Sequence, residues 1–91
     1  MEVGVEISLY PLAADYAASI KSFLARLHAV PGLKVVTTSL STQVFGPYEL
    51  VLETLAREMR VTLGASARAV FLLKLFGPLP SAGAAGAGPA D

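Results

Sequence analysis

Cysteine and tryptophan are absent from the 91 residues, and histidine occurs once. Without cysteine there is no disulfide framework, no thiolate metal site and no thiol nucleophile. A lone histidine, His28, has no second imidazole or thiolate to join it, so neither a metal centre nor a histidine-based catalytic pair is expected. Charge is scarce as well. Charged residues make up 15% of the chain, and seven basic side chains balance seven acidic ones. With no basic run and no net charge, the electrostatic footprint of a nucleic-acid-binding protein is missing. Long apolar runs are also missing. A membrane helix needs ~18 consecutive apolar residues, whereas the longest candidate, 69–76, is strand-length and carries Lys74. The N-terminus has Glu2 and Glu6 where a secretory leader carries basic residues. The default expectation is a cytoplasmic protein that is not embedded in a membrane.

What the chain has in abundance is apolar side chain, at 54% of residues. Its length suits one small domain. So few charges leave the surface of a lone small domain under-covered, and the excess apolar surface is expected to meet a second copy or a ligand.

Hydrophobic periodicity gives the element order. Val3, Val5, Ile7 and Leu9 alternate with Gly4, Glu6, Ser8 and Tyr10, the period of a half-buried strand, and Pro11 closes it. Asp15 is placed to cap a helix over 16–30, with Tyr16, Ile20, Phe23, Leu24 and Leu27 on one face and Lys21 and Arg26 on the other. Pro31-Gly32 stops it. Strands follow at 33–38 and 41–45. In the second of these, Thr42 and Val44 share one face, and Ser41, Gln43 and Phe45 the other. A second helix is expected to start at Pro47, carry an apolar stripe of Val51, Leu52, Leu55, Ala56, Met59 and Leu63, and end at Gly64 as C′. Glu49, Glu53 and Glu58 on this helix read as solvated, with Glu53 and Arg57 forming an i,i+4 pair. The last strand, 68–76, is apolar on both faces except at Lys74 and should be covered on both.

The order strand, helix, strand, strand, helix, strand is the α+β, ferredoxin-like βαββαβ arrangement. It predicts a four-stranded antiparallel sheet in the order 4-1-3-2 with both helices on one face. The domain should occupy 1–77. Residues 78–91, rich in Ala, Gly and Pro, read as a disordered tail. The other sheet face would be open, presenting Glu6, Ser8 and Tyr10 beside Gln43 and Phe45.

At the centre of the chain, Thr37-Thr38-Ser39-Leu40-Ser41-Thr42-Gln43 concentrates neutral donors and acceptors. Such a run can read a neutral polar ring, or it can be a hairpin turn whose hydroxyls bond their own backbone. No phosphate-binding glycine loop follows a strand, and no nucleophile lies within reach of a base. A binding protein is therefore expected, not an enzyme, and no cofactor.

Several stretches together resemble the YkoF-like thiamine/hydroxymethylpyrimidine-binding family. They are Ile7-Ser8-Leu9-Tyr10-Pro11-Leu12, Pro31-Gly32-Leu33-Lys34-Val35-Val36-Thr37-Thr38, Leu40-Ser41-Thr42-Gln43-Val44-Phe45-Gly46, Arg57-Glu58-Met59 and Ala69-Val70-Phe71-Leu72-Leu73-Lys74. The resemblance spans residues 3–76. It implies binding of thiamine or its pyrimidine moiety without catalysis, for uptake or salvage, beside a vitamin transporter. Some relatives carry two such domains. This chain has one, so a homodimer or tetramer would rebuild the paired arrangement. Glu6, Ser8, Tyr10, Thr38, Ser39, Ser41, Thr42, Gln43 and Phe45 are the candidate ligand contacts, at a pocket on the sheet face or between copies. An aminopyrimidine would bond Ser8, Ser41, Thr42 or Gln43 and stack on Phe45 or Tyr10. Glu6 would meet the thiazolium or the pyrimidine amine, or would pair with Lys74 across the strands. The competing readings are a regulatory module for another metabolite and a purely structural homo-oligomer.

Overall fold

A computed structural model describes residues 1–12, 16–38, 41–65 and 68–80. Its elements are β1 (Glu2–Pro11), α1 (Tyr16–His28), β2 (Lys34–Thr37), β3 (Thr42–Pro47), α2 (Tyr48–Ala65) and β4 (Ala69–Phe76). The sheet is antiparallel, in the order β2-β3-β1-β4, which is the expected ferredoxin-like topology. The Asp15 cap and residues 81–91 of the expected tail lie outside the described residues. Past Gly77 the backbone stays beside β1, where Leu79 N–H donates to Glu2 C=O at 2.8 Å.

The alternation in β1 does what its period requires. Val3, Val5 and Ile7 face the helices and are buried together with Val44 of β3, Phe23 and Leu27 of α1, and Val51 and Leu55 of α2. Each such side chain contributes about 1.5–3 kcal/mol by leaving water. Leu9, Leu24, Leu33, Val35, Met59 and Phe71 pack around this core. Phe23 and Phe71 meet at 5.2 Å between ring centroids and tie α1 to β4.

Four local expectations are corrected. Pro47 does not open the second helix. It pairs with Glu2 on the ladder, and α2 starts at Tyr48, whose N–H donates to Met1 C=O at 2.9 Å. Gly64 does not stop α2, which runs on to Ala65. The buried face of α2 is Val51, Thr54, Leu55, Glu58 and Thr62, while Leu63 is exposed. Glu58 is therefore not solvated, and Arg26 does not sit on a solvent face. They join across the helix pair, Arg26 Nε to Glu58 Oε1 at 2.6 Å. The fourth concerns β4. Within one chain it is not covered on both faces, because it is a sheet edge: Leu73 and Leu75 on the helix side and Val70 and Leu72 on the open side are all exposed.

Candidate functional site

The two strand partners of β1 end at different places. β1 pairs with β3 over Glu2 to Ile7, but with β4 over Gly4 to Pro11. Beyond Ile7, among the described residues, it keeps a strand neighbour on one side alone. There the β2–β3 hairpin turns back. Thr38 N–H donates to Ser41 C=O at 2.9 Å, and the Thr38 hydroxyl donates to the same carbonyl and accepts from Ser41 N–H. This is the local hydroxyl-to-backbone bonding that Ser and Thr favour at turns. The outcome is a notch in the sheet between the last residues of β1 and the Thr38–Ser41 pair.

Two concavities open at this notch, one on each side of the sheet. The helix-side one holds about 230 Å³. Its apolar wall is Ile7, Leu9, Ile20, Phe23 and Leu24, and its polar rim carries Thr37, Thr38, Ser41 and Thr42. Thr42 is buried, and its hydroxyl lies 3.3 Å from that of Thr37. The open-side depression holds about 170 Å³ between Glu6, Ser8, Ser41, Leu72 and Lys74. Ser8 and Ser41 are common to both.

Charge is confined to the open side. Lys74 stands opposite Glu6 in register, with Nζ 3.7 Å from Oε1, and Ser41 Oγ donates to Oε2 at 3.2 Å. The cross-strand pair foreseen for Glu6 is thus present, and the carboxylate still faces the depression. At the other end of the same face, Phe45 and Phe76 meet edge to face over Gly4, with centroids 6.2 Å apart. A Cβ on Gly4 would come within 2.6 Å of Phe76 and 2.9 Å of Phe45, so only glycine admits both rings.

The candidate contacts therefore divide. Ser8, Tyr10, Thr38, Ser41 and Thr42 gather at the helix-side concavity, and Glu6, Ser8 and Ser41 at the open-side one. Gln43 and Phe45 line neither, although Gln43 lies next to Glu6 on the open face. Ser39 lies outside the described residues. Sequence reasoning missed the part of α1, since Ile20, Phe23 and Leu24 read as core stripe. The signal that could have exposed it is the unequal length of the period-two runs in β1 and β3.

A separate polar cluster locks the helices together. Arg26 donates to the Glu58 carboxylate and carbonyl, the Thr62 hydroxyl at 2.7 Å and the Ser22 hydroxyl at 2.8 Å, while Arg57 Nε reaches Glu58 Oε2 at 3.0 Å. Burial works against the charged form of Glu58. The hydrogen bonds from Arg57 and Arg26 and their positive charges outweigh it, holding the carboxyl below its ordinary range. None of these residues lines either concavity. Among the described residues there is no cluster of side chains able to hold a metal ion, and no helix is long and apolar enough to cross a membrane.

No family model and no curated protein matches the chain. Solved structures do. A protein from Streptococcus pneumoniae superposes with a TM-score of 0.78 at 20% identity, over 91% of this chain and 94% of its own. A protein from Thermotoga maritima, provisionally assigned to thiamine biosynthesis or salvage, gives 0.75 at 20% identity over 86% and 85%. A domain of unknown function, DUF77, from Bacillus cereus gives 0.73 at 15% over 86% and 77%. What this chain shares with them is the fold.

Proposed function

We propose that this chain is a non-catalytic binding protein for thiamine or its hydroxymethylpyrimidine moiety, serving uptake or salvage of the vitamin. The observation that carries the reading is the helix-side concavity: an apolar wall with a hydroxyl rim, set where the sheet parts. A methylated aminopyrimidine has the matching chemistry, with a flat apolar body and neutral donors and acceptors at its edge. Glu6, on the far side of the shared Ser8–Ser41 rim, is placed to attract a cationic thiazolium. The fold shared with the Thermotoga protein supports the ligand class. The family resemblance of the Leu40–Gly46 run supports it from the sequence side.

Calorimetric titration with hydroxymethylpyrimidine and with thiamine tests this. One saturable site per chain for either ligand is the expected result, and no heat with either near millimolar concentration overturns it. Lys74 is the one basic side chain lining either concavity, and it is already paired with Glu6. Thiamine diphosphate is therefore expected to bind more weakly than thiamine, since no guanidinium cluster or glycine nest receives the phosphates. Glu6→Gln separates its two roles. A contact residue loses thiamine affinity, while a purely structural one leaves affinity unchanged.

The apolar open face extends the proposal to assembly. Tyr10, Val70 and Leu72 are each about half exposed on one continuous surface. A second copy pressed on this face would bury them and enclose the open-side depression.

A further inference from the structure

The wall of the notch carries a recognition element that no side chain supplies. In an antiparallel strand the N–H and C=O of a residue point to the same side, and successive residues alternate between sides. The described hydrogen bonds fix that phase in β1. Glu2 C=O accepts from Leu79 on the β4 side, Met1 C=O accepts from Tyr48 on the β3 side, and Leu12 N–H donates to Arg68 C=O on the β4 side. Even-numbered residues of β1 thus turn their backbone groups to β4, and odd-numbered ones to β3. Val3, Val5 and Ile7 spend theirs on Gly46, Val44 and Thr42. Leu9 is next in phase, and the β3 ladder has ended at Ile7. Pro11 has no N–H to offer.

Leu9 therefore directs an N–H and a C=O, side by side, into the notch, and no strand partner among the described residues takes them. The same residue lines the helix-side concavity. Unpaired backbone groups in a partly enclosed site favour a partner that satisfies both. Resting on the function proposed above, we infer that the Leu9 peptide groups are the specificity determinant of this site. They read a ring that presents an adjacent acceptor and amine donor, as the ring nitrogen and exocyclic amine of a 4-aminopyrimidine do. The ligand then takes the pair of hydrogen bonds that Leu9 does not spend on the described part of β3. Thr38 and Ser41 close the rim, and Phe23 and Leu24 support the ring body. Because the carbonyl of Leu9 would be stranded by a ring without the amine, the site should reject such an analogue far more strongly than it responds to changes of the ring's apolar substituents.

Two experiments on the full chain decide this, with hydroxymethylpyrimidine as the probe. In the first, the Leu9 amide is replaced by an ester by building the chain with the matching α-hydroxy acid, which removes the N–H and keeps the side chain. The β4 ladder at Ser8 and Tyr10 retains its donors. Expected is a loss of affinity of tenfold or more. Affinity within twofold of the unaltered chain overturns the inference while leaving the proposed function standing. In the second, the unaltered chain is titrated with the same pyrimidine lacking its exocyclic amine, which keeps the test independent of whether the ester variant folds. Weakening of tenfold or more supports the inference, and equal affinity overturns it. No binding of hydroxymethylpyrimidine to the unaltered chain overturns both the inference and the function it rests on.

Discussion

Thr54 is fully buried on α2, and its hydroxyl has no hydrogen-bond partner among the described residues. A buried hydroxyl without a partner keeps its desolvation cost and gains nothing in return. Thr54→Val replaces it with a methyl of the same shape. It should leave stability unchanged or raise it by about 1 kcal/mol, measured by denaturant midpoint. Glu58 is the opposite case, a buried carboxylate with every neighbour engaged. Glu58→Gln should cost roughly 1.5–3 kcal/mol, the range for hydrogen bonds to a charged group. Its pH signature follows from the direction of its shift. The carboxyl titrates below its ordinary value of 4.5 in the folded chain, so its contribution is in place above that value and is lost as the pH falls through the lowered native one. Melting temperature should fall across this acid window in the parent chain and fall less steeply in Glu58→Gln. Parallel acid profiles for the two would show that another group governs the loss.

The elements differ in how far their residues announced them. β1 was legible because its two faces differ at every position from Val3 to Tyr10. α2 was legible as a helix, but its buried side was not. The run Leu52, Ala56, Met59 and Leu63 looked like core because it is apolar, while Glu58 looked solvated because it is charged. Glu58 and Thr62 are instead buried, because they meet Arg26, 32 and 36 residues away in the chain. A contact of that separation has no local signature. A facing pair of i,i+4 polar steps, Ser22 to Arg26 on α1 and Glu58 to Thr62 on α2, was the available hint. The same element yields a test of its corrected end. Gly64 lies within the helix, and a Cβ there would meet no atom within 4 Å. Gly64→Ala should therefore stabilise by about 0.5–1 kcal/mol. A destabilised variant would mean that α2 ends before this residue. The candidate site was half legible: its hydroxyl rim was in the sequence, whereas the α1 wall and the notch depend on where β3 stops along β1, which shows only when the lengths of the two period-two runs are compared.

For the whole molecule, scarcity of charge and a sheet with one uncovered face are the same fact stated twice. Leu72 is 55% exposed and Tyr10 52%, both on a surface that a lone small domain has no charge to solvate. Sedimentation velocity at micromolar concentration should find an assembly, and Leu72→Lys should shift it to monomer. A parent chain that sediments as a monomer at that concentration would end the pairing proposal. The unequal reach of β3 and β4 along β1 has a further consequence for how the molecule breathes. Amides of β1 should resist deuterium uptake without a break from Val3 to Ser8. Leu9 should then exchange fast while Tyr10, bonded to β4, stays slow: a comb with one tooth missing. A bound ring that fills the gap would slow that one tooth and leave the pattern on either side unchanged.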